Sequence, residues 1–390
     1  MKYNFDKLID RRGMGSLKWD VTEKELPMWV ADMDFETAPE IIDYLKSRVE
    51  HGIFGYSMLT DEWYEAYINW WERRHHWKME KEWMIFCMGV VPAISSAVRK
   101  LTTVGENVLV QTPVYNMFFN SIRNNGRNIL ENPLIYKDGE YRIDFVDLEE
   151  KLADPQTTLM VLCNPHNPVG KIWDKETLER IGVLCAKHHV LVLSDEIHCD
   201  LTDPGYEYIP FASVSELCRN NSVTCITPTK TFNIAGLQTA AVVVPDPVLR
   251  HKLNRRLNTD EVAEPNAFAV GGAIAAFNKG EAWLEELREY LSENKKCVRK
   301  FVEEKLPIVR VVPSQATYLL WLDCGNVTED GGKLTDFIRK DSGLYLTKGG
   351  TYGACGKKFI RLNPACPRER LMDGLERLEQ SVRRFMENPS

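Results

Sequence analysis

The chain lacks a long apolar run. Its longest, such as "AAVVV" and "VLVL", fall far short of the roughly 20 residues that a membrane helix needs. The charged start "MKYNFDKLIDRRGMG" contains no apolar stretch, so no secretory signal is expected. The ten cysteines form no CxxC pair and no compact spacing. That pattern excludes a zinc ribbon or a disulfide scaffold and predicts reduced, mostly buried thiols. Positive charge is not in excess either: 49 Lys and Arg face 56 Asp and Glu, a net charge of -7, which argues against a nucleic-acid-binding surface. There is no internal repeat and no low-complexity linker. A soluble cytoplasmic protein, free of membrane and nucleic acid, is the expectation.

What is present is an ordinary globular composition, 44% hydrophobic and 27% charged. At 390 residues the chain exceeds one typical core, so two domains are expected. Five short apolar runs read as buried strands: 107–113, 158–165, 189–196, 223–229 and 239–245. Helical patterns lie between several of them; in 173–189, Leu178, Ile181, Leu184 and Cys185 share one face. The alternation predicts an α/β fold with a mostly parallel central sheet covered by helices. A long helix over 280–306 then leads into a smaller domain, with strands near 309–313, 316–323 and 358–363 and a closing helix from about Pro367. The charged runs "WERRHHWKMEKEW" and "RERLMDGLERLEQSVRR" read as solvated helix faces.

In parallel sheets ligands bind at the carboxyl ends of the strands. Four polar residues collect at such ends: Tyr115, Asn167, Asp195 and Lys230. Taken singly, Asp195 is a helix cap or a solvent-facing carboxylate, Lys230 a surface lysine and Tyr115 a core aromatic. Paired on neighbouring strands, Asp195 and Lys230 suit a pyridine cofactor, with the lysine as Schiff-base former and the carboxylate on the protonated ring nitrogen. A buried aspartate without such a cation would be costly. "DEIHCD" offers metal-ligand chemistry, but the buried strand before it and Lys230 favour the cofactor reading. The adjacent pairs His75–His76 and His188–His189 do not share a helix face and make poor ligand pairs. "GGTYGACG" (349–356) lies between two strands, so it is no dinucleotide fingerprint; a mobile loop near the substrate is expected.

In this order, "CNPHNPVG", "SDEIH" and "TPTKTFNIAG" resemble the fold-type I, pyridoxal-phosphate-dependent aminotransferase class I/II family. With "FIRLNPACPRERL" the chain is most similar to that family's cystathionine β-lyase and cysteine-S-conjugate lyase branch, over essentially its whole length. The resemblance implies a large cofactor-binding domain over 49–280 and a smaller α+β domain from both chain ends, 1–48 and 281–390. It implies pyridoxal 5'-phosphate held by Lys230 as covalent anchor and proton carrier, Asp195 on the ring nitrogen, Asn167 and His198 towards the phenolic oxygen, and Tyr115 stacked on the ring. The phosphate falls to the helix start at Val90 and Val91, where free N–H groups and the helix dipole attract an anion, and to Thr227 and Thr229. Tyr56 in "FGYS" matches a tyrosine that reaches the phosphate of a neighbouring subunit, which implies a homodimer. Arg361 matches the arginine that grips the substrate α-carboxylate, and Trp29 and Ala31 in "LPMWVADMDF" are expected to line the amino-acid site.

Two positions depart from the commoner aminotransferases. His198 stands where a tyrosine often donates to the phenolic oxygen, and Gln238 where an arginine often anchors the phosphate. Both departures fit the lyase branch better. The expected reaction is β-elimination from a cysteine S-conjugate or cystathionine, giving a thiol, pyruvate and ammonia. The alternatives are transamination of an L-amino acid with a 2-oxo acid, and a non-catalytic ligand sensor on the same fold. The complete set of Lys230, Asp195, Asn167 and Arg361 argues against the sensor.

Overall fold

The computed structural model describes residues 2–387. Its central sheet has seven strands in the spatial order Met84–Cys87, Ala240–Val243, Ser222–Ile226, Leu191–Asp195, Thr157–Cys163, Asn107–Val110 and Asn128–Glu131. All run parallel except Ala240–Val243, which is antiparallel to both neighbours. The expected mostly parallel α/β sheet is present, and all five expected strands lie in it. Hydrophobic runs carry no direction. The reversal comes instead from the connection 227–239, which holds only the short 3-10 turn Ala235–Leu237 where a parallel crossover would place a helix. Met84–Cys87 and Asn128–Glu131 fall outside the expected set. The latter is a half-exposed edge, "NILE", with no apolar run to betray it.

Period-two alternation sorts the strand residues onto two faces. Val108, Val110, Leu159, Val161 and Leu193 meet Val90, Ile94 and Val98 of helix Val90–Leu101. On the other face, Leu109, Met160, Leu162 and Val192 meet Leu178, Ile181 and Cys185 of helix Lys175–Lys187. That helix starts where Asp174 accepts from the Thr177 amide at 2.8 Å, satisfying one of the free N–H groups of the first turn.

A third core is aromatic. Helix Asp61–His75 buries Trp63, Tyr67, Trp70 and Trp71 against Phe277 of helix Ala269–Lys279. The small residues of the second helix also admit helix Pro39–His51: a Cβ on Gly271 would lie 2.1 Å from the Tyr44 ring. In "WERRHHWKMEKEW" the charged Glu72, Arg73, Lys78, Glu80, Lys81 and Glu82 are exposed as expected, but the run is not solvated throughout. Trp71 is fully buried, Trp77 and Met79 nearly so, and His75 turns inward onto Asp200. Charged letters outnumber the aromatics in that run, but the aromatics decide which side faces the core.

The smaller body carries an antiparallel sheet in the order Arg310–Val311, Leu320–Asp323, Phe359–Leu362 and Thr347–Lys348, flanked by helices Gly331–Ser342 and Arg368–Glu387. The N-terminal stretch joins it: Leu26–Pro27 pairs with Leu344–Tyr345, and Leu26 and Met28 pack with Leu322, Ile360 and Leu375. Helix Glu281–Lys305 runs between the bodies. Its first half puts Trp283, Leu287 and Tyr290 into the aromatic core, and its second half puts Val298 and Val302 into the small one. At 25 residues, or roughly 38 Å, it outspans a single core. The cores thus meet inside this helix rather than at 280/281, and Phe5, Phe35 and Ile41, from before residue 48, pack with the aromatic core.

Candidate active site

Asp195 closes strand Leu191–Asp195 and lies in register with Cys225 of the neighbouring strand, beyond which the chain turns to Lys230. The Asp195 side chain is 3% exposed, and its one hydrogen-bond donor is the Ile197 amide at 3.3 Å. No cation forms an ion pair with it among the described residues. Burial pushes its carboxyl up to about 7, against the pull of the Ile197 amide and Lys230. Lys230 Nζ donates to the Ala31 carbonyl at 2.6 Å. Burial brings its amine down to about 8, with Asp32 and Asp195 opposing and Arg361 reinforcing the shift. Burial thus shifts both groups toward their neutral forms, which is the nucleophilic form of the Lys230 amine, whereas Asp195 must ionise to pair with a cation.

Arg361 stands on the interior strand Phe359–Leu362, where Ile360 and Leu362 face the small core and Phe359 and Arg361 face the central sheet. Its guanidinium donates to Asn167 Oδ1 at 3.2 Å and to the Trp29 carbonyl at 2.9 Å, above the Tyr352 ring at 5.0 Å. Its Nε is buried without a partner. His198 is also buried, with Nδ1 unpartnered, and burial aided by Lys230 and Arg361 pushes it down to about 3, so it is neutral. Tyr115 is half-buried, edge-on to Phe118, and burial first and Asp195 second push its phenol up to about 12. Lys230, Tyr115, Arg361, Trp29 and Ala31 line one cavity of 580 Å³. A buried carboxylate without a cation and a buried histidine with an unpartnered nitrogen, both close to Lys230, together with an arginine on the cavity wall, fit a cofactor with a cationic ring nitrogen and a carboxylate substrate.

Other expected residues lie less simply. Thr227 Oγ1 donates to the Thr239 carbonyl at 2.6 Å and accepts from the Thr229 amide at 3.1 Å. Its oxygen also lies 3.0 Å from the Thr229 hydroxyl, so the two threonines form one hydroxyl pair beside Lys230. Val90 and Val91 open helix Val90–Leu101, which no side chain caps. Tyr56 is fully exposed on the extended segment after Gly52 and does not reach this cavity. Gln238 is exposed at φ 53°, and its side chain makes no hydrogen bond among the described residues. "GGTYGACG" folds as two 3-10 turns pinned by the buried Tyr352, and Thr351 and Tyr352 reach the cavity wall.

Three polar contacts at the site lie outside the sequence reading. Asn363 Nδ2 donates to the Val30 and Asp32 carbonyls at 2.6 and 2.7 Å, and Tyr318 donates to that of Ala31 at 2.9 Å, so the strap over the cavity is hung by its backbone. Asn363 follows Arg361 by two positions in "FIRLN", a spacing that puts both on one strand face; Tyr318 carries no such signal. Asp200 of "DEIHCD" does lie near His75 and Cys199. Its oxygens, however, already accept from Trp70 Nε1 at 3.0 Å, His75 Nε2 at 2.9 Å and Thr231 Oγ1 at 2.9 Å, which anchors the residue beside Lys230 rather than a metal.

Residues 28–378 match the family described as aminotransferase class I and II. The chain is 44% identical to cystathionine beta-lyase PatB of Bacillus subtilis (strain 168), over 97% of this chain and 100% of that one. It is 32% identical to protein MalY of Escherichia coli (strain K12), over 98% and 99%. Among solved structures it superposes on cystalysin from Treponema denticola, which contains a pyridoxal 5'-phosphate cofactor, with a TM-score of 0.96 at 33% identity, covering 99% of this chain and 100% of that one. With a family match over most of its length and full-length relatives at this identity, the chain belongs to the aminotransferase class I and II family.

Proposed function

We propose that this chain is a pyridoxal 5'-phosphate-dependent C–S β-lyase that cleaves cystathionine or related cysteine S-conjugates, with water, to a thiol, pyruvate and ammonia. The observation that carries the reading is the buried, cation-free Asp195, close enough to feel the charge of Lys230, which shares a cavity with Arg361. The likeness to PatB, named a cystathionine beta-lyase, points to the lyase branch. When bound, the cofactor supplies the sink for the electron pair of the substrate's Cα–H bond.

The protein's own groups then have distinct tasks. Asp195 keeps the ring nitrogen protonated, and the cation it gains replaces the solvent it lost. Lys230 would hold the cofactor covalently, and its free Nζ would be the group to take the Cα proton. An amine brought down to about 8 offers a usable neutral fraction near neutral pH. Arg361 grips the substrate α-carboxylate in exchange for its contact with the Trp29 carbonyl, a planar fork on a planar acceptor. Asn167 orients that guanidinium and the phenolic oxygen, and Tyr115 covers the ring. Neutral His198 adds no charge there. The amides at Val90 and Val91 and the hydroxyls of Thr227 and Thr229 would receive the phosphate.

The exposed apolar side chains Ile53, Phe54, Tyr56 and Met58 follow one another on a single arm. A second copy of the chain is the occupant we assign to it, with Tyr56 completing the partner's phosphate site. The cytoplasm is the proposed location. It accords with ten unpaired cysteines, eight of them buried, and with no helix among the described residues being long and apolar enough to cross a membrane.

The test is incubation of the purified holoenzyme with L-cystathionine and no 2-oxo acid, scored by pyruvate. Stoichiometric pyruvate and thiol support the lyase. No pyruvate, but amino transfer once a 2-oxo acid is added, would replace this reading with transamination.

A further inference from the structure

We propose that Tyr318 is a positioning residue for Lys230: it is the standing donor that keeps the Ala31 carbonyl satisfied while the lysine amine leaves that oxygen for the cofactor and returns to it. This rests on the reading of Lys230 as the covalent anchor, and it holds whether elimination or transamination follows. Lys230 Nζ donates to the Ala31 oxygen at 2.6 Å, and the Tyr318 hydroxyl donates to the same oxygen at 2.9 Å. A carbonyl oxygen has two lone pairs, and here both are used.

The hydroxyl is not needed to hold the ring. The backbone beside it is fixed already: the Thr317 amide donates to the Leu201 carbonyl at 2.7 Å, and the Thr317 carbonyl accepts from the buried Lys295 Nζ at 3.0 Å. Nor is the hydroxyl needed to hold the strap. Arg361 holds the Trp29 carbonyl, Asn363 those of Val30 and Asp32, and Asn233 that of Met33. Phenylalanine would fill this buried site with one polar atom fewer, and a buried hydroxyl costs free energy unless it is used. Its one partner is the oxygen that Lys230 has to give up.

Two consequences share one sign. With Nζ engaged covalently, the Ala31 oxygen keeps its Tyr318 donor; without the hydroxyl it would be a buried orphan, and the free lysine would be favoured. While the lysine is free, an oxygen shared with Tyr318 is a weaker acceptor for the ammonium than an unshared one, so the hydroxyl holds down the proton affinity of the amine. The other groups around the amine stay as they are: burial lowers its proton affinity, Asp32 raises it, Arg361 lowers it and Asp195 raises it. Asp32 is itself paired with Arg11 and Lys18, while neutral His198 and the protonated Tyr115 phenol add no charge.

The test is equilibrium binding of pyridoxal 5'-phosphate to the full-length apoproteins, read by cofactor absorbance from about pH 6 to about pH 9. Covalent binding needs the neutral amine, so affinity falls as pH drops below the lysine's value. Tyr318→Phe should weaken binding about tenfold, the worth of one hydrogen bond to a buried acceptor. It should also move the pH at which affinity falls upward by about half a unit. Asp195 and the phosphate titrate alike in both proteins, so the difference reports the lysine. Incorporating 3-fluorotyrosine at position 318, a stronger donor of nearly the same shape, should move that pH downward, whereas a strap merely loosened toward water would raise it. The proposal is overturned if Tyr318→Phe binds within about twofold of wild type, or if the two changes move the pH the same way or not at all. Borohydride reduction of the wild-type holoenzyme with peptide mapping locates the covalent link separately. A link on Lys230 supports the anchor, and a link elsewhere overturns the anchor reading and this proposal with it.

Discussion

Replacing Asp195 by asparagine should stabilise the cofactor-free protein while weakening its grip on the cofactor. The carboxyl rises from 3.8 to about 7 on folding, chiefly because it is buried. A raised acid pKa means that the folded state resists ionisation. The penalty is therefore absent below the ordinary carboxyl range, grows as pH climbs, and is complete above the folded value. Between those limits it amounts to about 2 kcal/mol at pH 5 and about 4 kcal/mol at pH 8. Asparagine keeps the acceptor for the Ile197 amide and removes the charge, at roughly 1–2 kcal/mol for burying a half-satisfied amide. The two costs nearly cancel at pH 5, leaving a gain of about 2–3 kcal/mol at pH 8. Urea unfolding of the two apoproteins should give coincident midpoints at pH 5 and a clearly higher midpoint for Asp195→Asn at pH 8. With cofactor the order reverses, because a neutral amide cannot answer a cationic ring nitrogen; affinity should fall about a hundredfold. An Asp195→Asn apoprotein that is less stable than wild type at pH 8 would refute the reasoning. It would mean that the carboxylate is well satisfied without a cofactor.

Arg361→Lys keeps the charge but loses the planar fork, so kcat/KM for any amino-acid substrate should fall roughly 10–100-fold, mostly through KM; a change under threefold would remove Arg361 from carboxylate binding. Asp200→Ala strips the acceptor from Trp70, His75 and Thr231 inside a fully buried network. It should cost about 3–5 kcal/mol in urea unfolding, and a loss below about 1 kcal/mol would show that the network does not hold the Lys230 turn.

Much of the fold was legible because buried parallel strands leave continuous apolar runs, and each such run fell in the central sheet. Strand direction was not legible. Ala240–Val243 has the same letters as its parallel neighbours, and only the path of the 227–239 connection reverses it. The edge Asn128–Glu131 escaped because a half-exposed strand has no need of an apolar run. At the site, Lys230, Asp195, Asn167 and Arg361 could be picked out by the motifs around them, whereas Tyr318 could not, since its part depends on a backbone carbonyl 287 residues away. Thr227 likewise has a neighbour that residue type and spacing do not announce, the Thr239 carbonyl at 2.6 Å.

By itself the sequence determined the residue types that this chemistry needs and the strand ends that carry them, because local pattern and short motifs act through neighbours along the chain. The tertiary structure alone decided their electrostatic state. Asp195 is raised and Lys230 lowered because burial takes both from water, and over Lys230 that enclosure includes the strap 29–32, hung from Asn363, Tyr318 and Arg361 far along the chain. Desolvation is a property of enclosure, and enclosure exists only once distant segments have met.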